Sequence, residues 1–296
     1  MKTIKQVCLA ALLVGLFSFP IFAHAEDKPR LFVGYSVRGM ADVDPKDAEA
    51  ALRVWSQEIG YRFGFDLVTQ LYDSSDRLAR DFQDRKLDFV TLPVLDYLRL
   101  APVLNARPEL GMVRDNSPTT KYLLLVPRPA AKDGLAGLKN QRLAVMHHNQ
   151  LGRLFLNTEL LKAGLPESDR LFGSVQEKSK ESQAVLAVFF GQADACLVSD
   201  KAFKTMEELN PQVGKKLQIL LESPGFVDVV GFFHPDYPKV HKETAIGGMR
   251  GDIKEFERGR QIMILFNVDR MDRIRDEDLN AVKNMVSDYD RLKRKK

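Results

Sequence analysis

The chain has 296 residues, which is enough for one large domain or for two of about 100–150 residues each. Its formal net charge is only +4, and five of its 44 basic residues fall within the last six positions. Outside those six positions 39 basic residues stand against 40 acidic ones, which argues against nucleic-acid binding, because such binding needs a basic face.

The first 25 residues have the order of a secretory signal peptide. Lys2 and Lys5 precede an apolar run over 7–22, and residues 23–25 supply the small-x-small pattern of a cleavage site. The run is shorter than the ~20 apolar residues of a membrane span and ends in small residues rather than a basic stop. We therefore expect cleavage after Ala25 and a soluble periplasmic protein rather than a membrane anchor.

The cysteine content further restricts the possible classes of fold. Cys8 lies within the predicted signal peptide, so Cys196 is the only cysteine of the exported chain. This excludes a disulfide-stapled fold and a cysteine-rich metal site. Because Cys196 lies in an apolar run, we expect a small core residue rather than a nucleophile.

The exported chain alternates short apolar runs with helical patterns. The segment "RLFVGYS" predicts a strand, and the segment after it predicts a capped amphipathic helix. The same alternation continues to a predicted strand at "LDFVTL". The first predicted strands are 30–36, 65–72 and 87–92, separated by helices over 44–60 and 73–86.

The middle of the chain repeats this rhythm before two long helical patterns close the sequence. The predicted strands are 121–128, 141–148, 193–199 and 216–223, and the predicted helices are 151–165, 180–192, 200–210, 243–263 and 276–292. Strands that alternate with helices favour mainly parallel sheets covered by helices. We expect two α/β lobes, with the two last helices packed back on the first lobe.

Four segments of the chain resemble one family. They are "YDSSDRLARDFQDRKLDFVTLPVLDYL", "GLAGLKNQRLAV", "AVFFGQADACLVSDKAF" and "LQILLESPGF", in this order after an export signal. In these segments the chain is similar to the phosphonate- and phosphite-type periplasmic substrate-binding proteins of ABC transporters, and the resemblance extends over nearly the whole exported chain.

The resemblance implies the type II periplasmic-binding-protein fold, in which two α/β lobes joined by two crossovers close on a ligand. On this chain it implies a first lobe over 26–121, a second lobe over 122–222, and a return to the first lobe over 223–296. It also implies a small-molecule ligand, a membrane permease as partner, a monomer, and no cofactor.

Independently of the resemblance, the strand ends indicate where a ligand binds. Open α/β sheets bind ligands beyond the carboxyl ends of their strands, where helix N-termini attract anions. His147, His148, Asn149 and Gln150 lie where one strand ends and the next helix begins. Further candidates at strand ends are Tyr35, Ser36 with the nearby Arg38, and Thr91.

Two readings of the adjacent histidines remain open. At least one contacts the ligand, or both are turn or core histidines. A metal site is disfavoured because adjacent residues on a strand point to opposite faces and no H-E-x-x-H pattern accompanies them. We therefore predict no bound metal.

At several matched positions this chain differs from the residues that the resembled family carries. The family's serine-threonine-serine-glycine turn falls on residues 149–152, where only Gly152 is kept. Its two cleft tyrosines fall on Ser75 and Thr120, and its cleft histidine falls on Glu181. The acid that holds a ligand ammonium group falls on Lys201, which would repel an aminoalkyl phosphonate.

The sequence therefore favours a solute-binding protein that captures a small ligand; a phosphorus oxyanion is one candidate, and the altered positions leave the ligand class open. The same fold also suits a ligand-sensing module that reports to a membrane receptor. An enzyme is disfavoured because the sequence contains no matching nucleophile, base or metal pattern, and "GYSVRG" does not fit the G-x-S-x-G nucleophile elbow. The predicted ligand contacts are Tyr35, Ser36, Ser75, Thr91, Thr120, His147, His148, Asn149, Gln150, Glu181 and Lys201.

Overall fold

The computed structural model describes residues 28–39, 45–129, 133–250 and 256–295, so the predicted signal peptide and its cleavage point lie outside the described residues. Over these ranges the chain forms two β-sheets that are flanked by helices. The prediction of a two-lobed α/β fold is therefore confirmed. Within the same ranges no helix combines the length and the apolar character that a membrane span needs.

The strands divide between the two sheets in three blocks of sequence. The first sheet contains β1 (Arg30–Ser36), β2 (Asp66–Tyr72), β3 (Phe89–Pro93), β4 (Leu110–Val113), β10 (Val229–Phe233) and β11 (Arg270–Arg273). The second sheet contains β5 (Tyr122–Pro127), β6 (Arg142–Met146), β7 (Ser174–Lys178), β8 (Ala195–Ser199) and β9 (Leu217–Glu222).

The helices lie between these strands and after the last of them. They are α1 (Pro45–Phe63), α2 (Ser75–Gln83), α3 (Val94–Leu104), α4 (Gln150–Lys162), α5 (Ser168–Leu171), α6 (Glu181–Phe189), α7 (Asp200–Leu209), α8 (Gln212–Lys216), α9 (Lys239–Arg250), α10 (Glu257–Phe266) and α11 (Asn280–Lys293). Ser74 caps α2 by accepting a hydrogen bond from the backbone N–H of Arg77.

Both sheets are mixed, which corrects the expectation of mainly parallel sheets. The strand order is β11-β4-β10-β3-β1-β2 in the first sheet and β7-β6-β8-β5-β9 in the second. β1 pairs in parallel with β2 and β3, and β6 with β7 and β8, whereas β5, β10 and β11 pair antiparallel with their neighbours. The reason is that the chain crosses between lobes and returns, so β10 enters the first sheet against the direction of β3.

The strands in the middle of each sheet explain why the apolar runs are short and continuous. Every residue of β8 and β10 is buried, and so are the first four residues of β3. A strand covered by helices on both faces needs apolar side chains on both, which removes the alternating pattern. Cys196 is fully buried in β8 and packs in the core as predicted.

Two equivalent aspartates tie neighbouring parallel strands together, one in each lobe. Asp88, just before β3, accepts a hydrogen bond from the backbone N–H of Phe32 at 2.8 Å. Asp194, just before β8, accepts one from the backbone N–H of Arg142 at 2.9 Å and also pairs with its guanidinium group. These contacts fix the register at which the strands deliver their carboxyl ends to the region between the lobes.

Two of the segments that link the lobes run side by side. Thr120 and Phe226 exchange both backbone hydrogen bonds at 2.9 Å, which forms an isolated antiparallel bridge. Beside it, Ser223 donates its backbone N–H to the carbonyl of Tyr122 and accepts the N–H of Tyr122 on its hydroxyl. These two linking segments thus form a short two-stranded ribbon.

The last helix corrects a second expectation. α9 and α10 lie against the first lobe, where they contact α1, whereas α11 packs on α4 of the second lobe. Val282 and Met285 of α11 are buried in the same core cluster as Leu156 and Leu160 of α4. Because the apolar face of α11 matches that of α4, the expectation that both C-terminal helices return to the first lobe is wrong for α11.

We predict that the packing of α11 on α4 contributes measurably to stability. Val282 is fully buried, so Val282→Ala is expected to lower the free energy of unfolding by about 2–3 kcal/mol, because it removes two buried methyl groups and leaves a cavity. The control is Ser287→Ala on the exposed face of the same helix, which should change it by less than about 0.5 kcal/mol. Urea unfolding measures both, and equal effects would contradict this packing.

Candidate functional site: an interlobe cleft lined by helix N-termini

A cleft of about 560 Å³ lies between the two lobes. The first lobe contributes the chain after β1, the junction of β3 and α3, the chain after β4, and the end of α10. The second lobe contributes the junctions of β6 with α4, of β7 with α6 and of β8 with α7. Volumes of 300–1,000 Å³ are typical of small-molecule sites, so the cleft has the size of a ligand pocket.

Four helices begin at the surface of this cleft. Residues of the first turn of α3, α4, α6 and α7 all line it, namely Val94, Gln150, Glu181 and Lys201. The first N–H groups of a helix have no partner within the helix and carry a partial positive charge. The cleft therefore offers several convergent donors to an anion.

The turn before α4 places a buried amide at this surface. Asn149 caps α4, since its Oδ1 accepts a hydrogen bond from the backbone N–H of Gly152 at 3.0 Å. Its Nδ2 is buried and has no hydrogen-bond partner among the described residues. A buried amide donor without a partner costs free energy, so this group is positioned to donate to a bound acceptor.

Gly152 is required by close packing rather than by backbone conformation. A Cβ at this position would lie 2.5 Å from the Oδ1 of Asn149 and 2.8 Å from the ring of Tyr122. This contact gives a physical reason why glycine stays in a turn whose other residues differ from the resembled family.

The side chains of His147 and His148 have different surroundings, although their ring centroids are only 3.9 Å apart. His148 lines the cleft, whereas His147 lies outside the lining and its Nδ1 is 2.5 Å from a carboxylate oxygen of Glu177. Desolvation lowers the pKa of His148, and the neighbouring His147 and Arg38 lower it further. Within the described ranges no three His, Cys, Asp or Glu residues form a group that could hold a metal ion.

Most charged groups in the cleft already have partners. Arg114 and Asp228 form an ion pair of 2.7 Å at the crossovers, with side chains that are 15% and 21% exposed. Glu181 accepts the backbone N–H of Ser199 at 2.8 Å and the hydroxyl of Ser199 at 2.5 Å. Arg38 lies 3.6 Å from a carboxylate oxygen of Asp96, outside the range of a strong hydrogen bond.

Among the partly buried lysines and arginines of the described cleft lining, Lys201 is the exception. It is half-buried in the first turn of α7, and it forms no hydrogen bond or ion pair with a described residue. Desolvation lowers the pKa of Lys201; Asp228 partly offsets this shift and Arg114 adds to it. The cation is therefore incompletely compensated, and an anion in the cleft would compensate it.

The structure brings about half of the predicted contact residues to the cleft surface. Those on the surface are Thr120, His148, Asn149, Gln150, Glu181 and Lys201, and those away from it are Tyr35, Ser36, Ser75, Thr91 and His147.

Tyr35 faces a separate apolar cavity of about 90 Å³ within the first lobe. Ser75 is buried and donates its hydroxyl to Asp96 at 2.8 Å. Thr91 and Ser36 are buried within the sheet; β3 continues for two residues beyond Thr91, so Pro93 and Val94 line the cleft in its place.

Several cleft residues were not predicted from the sequence. Arg114 and Asp228 are 114 positions apart, and the antiparallel pairing of β4 with β10 brings them together. Their signal in the sequence is a charge at the end of an otherwise apolar strand run. Lys180 lies at the start of α6, and an apolar group comes from α7 and α10, namely Met206, Leu209, Leu265 and Phe266.

Two α/β lobes, a paired crossover ribbon and a cleft lined by helix N-termini together define the class of type II periplasmic binding proteins. Many solved structures share this fold, among them the following three. A binding protein component of an ABC phosphonate transporter from Pseudomonas aeruginosa has a TM-score of 0.61 at 11% identity, over 90% of this chain and 88% of that one.

The second is PhnD1 from Prochlorococcus marinus in complex with methylphosphonate, with a TM-score of 0.61 at 16% identity over 88% and 98% of the two chains. The third is a Xanthomonas citri protein bound to ATP, with a TM-score of 0.60 at 13% identity over 89% and 98%. At these identities the likeness shows the fold alone. No curated protein matches the chain significantly.

The sequence itself establishes the family to which the chain belongs. The family model of the phosphonate periplasmic substrate-binding proteins of ABC transporters matches residues 39–279, which is most of the chain. The chain belongs to this family, so the resemblance drawn from its motifs is confirmed. It is a periplasmic substrate-binding protein of an ABC transporter for phosphonates or related small anions.

The turn at the cleft yields a prediction about backbone strain. His148 has φ +65°, in the left-handed region that costs a residue with a Cβ atom about 1–2 kcal/mol. His148→Gly is therefore expected to be more stable than His148→Ala by about 0.5–1 kcal/mol, after the greater chain entropy of glycine is allowed for.

The matched control is the same pair of substitutions at His147, whose φ is not positive. There the alanine variant should be the more stable one. Thermal unfolding of the four variants measures the difference, and an alanine advantage at both positions would contradict the strained turn.

Proposed function

We propose that the interlobe cleft binds a phosphonate or a related oxyanion and that both lobes contact it. Our proposal rests on one observation above all, which is the half-buried, unpaired Lys201 at the N-terminus of α7. The free Nδ2 of Asn149 on the same surface supports it. The proposed ligand contacts are Thr120, His148, Asn149, Gln150 and Lys201, whereas the carboxylate of Glu181 lies on the same surface and is held by Ser199.

The likeness to a fold seen with methylphosphonate in PhnD1 agrees with this ligand class. In this chain, however, a lysine takes the position of the acid that would bind a ligand ammonium group. A second cation close to Lys201 would repel it in a partly desolvated cleft. We therefore favour alkyl phosphonates and related monoanions or dianions over aminoalkyl phosphonates.

The proposed mechanism is a population shift toward a closed form. A ligand that contacts both lobes stabilises the closed arrangement by its differential affinity, and the membrane components of the transporter recognise that arrangement. In this proposal the first lobe comprises 26–121 and 223–279, the second comprises 122–222 together with α11, and the crossover ribbon is the main hinge. The protein acts as a monomer after cleavage at Ala25 and performs no chemistry on its ligand.

The alternative role, a ligand-sensing module for a membrane receptor, uses the same cleft. It would be favoured only if the ligand-bound protein engaged a receptor rather than a transporter. Family membership places transport first.

We predict that Lys201→Met weakens the binding of methylphosphonate or butylphosphonate at least about tenfold, because charge-assisted hydrogen bonds contribute about 1.5–3 kcal/mol. The matched control is Lys204→Met on the same helix, since Lys204 is 76% exposed and pairs with Glu208. Titration calorimetry on both variants and the unsubstituted protein measures the dissociation constants.

The melting temperature of the Lys201→Met variant gives a second test. Removing an uncompensated half-buried cation should leave the melting temperature of the free protein unchanged or raise it, and should reduce the rise on adding ligand. Equal affinities for the two lysine variants would contradict the assignment of Lys201. No response to any phosphonate, phosphite, phosphate or sulfonate would contradict the oxyanion proposal itself.

A further inference from the structure

One face of α7 changes from polar to apolar along the cleft. Its cleft-lining residues are Lys201, Ala202, Thr205, Met206 and Leu209, which recur at the spacing of a single helix face. With a rise of 1.5 Å per residue, this face carries the cleft about 12 Å from Lys201 to Leu209. The charged end and the apolar end of the site are thus separated by more than the width of a small oxyanion.

The first lobe extends the apolar end. The last turn of α10 contributes Leu265 and Phe266 to the same cleft. Leu209 is 75% exposed and Leu265 is 41% exposed, although both are large apolar side chains. An oxyanion as small as methylphosphonate, held at Lys201, would leave both of them in water and most of the 560 Å³ unfilled.

An apolar surface that is continuous with a cationic site fits a ligand with both characters. Burying such a surface is favourable by roughly 25 cal/mol per Å² of apolar area. The apolar stripe begins one turn after the cation and lies on the lining of the cleft itself. This continuity favours the substituent of a bound ligand over a partner protein as its occupant.

We propose that the ligand is an amphiphilic oxyanion, namely a phosphonate or related anion that carries a medium-length alkyl or aryl substituent. The head group lies at Lys201 and Asn149, and the substituent runs along α7 to Leu209 and Leu265. This inference rests on the proposed function, because it extends the ligand of the same site.

The experiment is a calorimetric titration of the purified protein with methyl-, butyl- and octylphosphonate, each below its aggregation concentration. Each methylene that the stripe buries should lower the dissociation constant by about fourfold. Equal dissociation constants for the three compounds would overturn the amphiphile and leave the oxyanion function in place. Binding of none of the three would overturn both.

Two variants locate the substituent. Leu209→Ser and Leu265→Ser should each weaken the binding of octylphosphonate about tenfold, and should leave that of methylphosphonate unchanged. The matched controls are Phe190→Ser and Ile264→Ser, because these residues are 65% and 78% exposed but lie outside the cleft lining. They should leave both affinities unchanged.

Two results of the variant series would overturn the inference. One is an equal loss of octylphosphonate affinity in the variants and their controls, which would reflect general surface adsorption. The other is unchanged affinity in Leu209→Ser and Leu265→Ser together with lost uptake by cells, which would assign the apolar stripe to the transporter.

Discussion

The backbone pairing of Thr120 with Phe226 is the constraint on which the site depends. It holds the two crossovers together, so both sheets present the carboxyl ends of their parallel strands to one shared space. The ion pair of Arg114 and Asp228 adds to this ribbon from within the cleft. Without the pairing, the four helix N-termini would belong to two separate surfaces, and neither surface would enclose a ligand.

The electrostatics of the cleft follow from which charges the fold compensates internally. Arg114 is satisfied by Asp228, and Glu181 by the hydroxyl and N–H groups at Ser199. These contacts give the site rigid walls and little net attraction of their own. Lys201 is the contrasting case among the described cleft lysines and arginines that are partly buried, since its charge is desolvated without a matching partner. We therefore propose that the affinity for an anion is concentrated at the start of α7.

The sequence predicted the fold well because alternating apolar runs and capped helices are local signals. It also located the turn at His148 and Asn149, since a strand end next to a helix start is visible in the chain. It could not predict that Thr91 lies two residues before the end of β3 and therefore away from the cleft surface. The position at which a strand ends depends on its pairing in the sheet. The mixed strand directions and the position of α11 likewise depend on contacts between segments far apart in sequence.

The placement of α11 adds a third connection between the lobes. The chain leaves β11 in the first lobe and crosses to α4 in the second, where Tyr289 and Lys293 contact Glu167. Three connecting segments permit fewer relative orientations of the two lobes than two connecting segments would. Fewer orientations in the free protein mean less orientational entropy to lose when a ligand draws the lobes together, so more of the contact energy is retained as affinity.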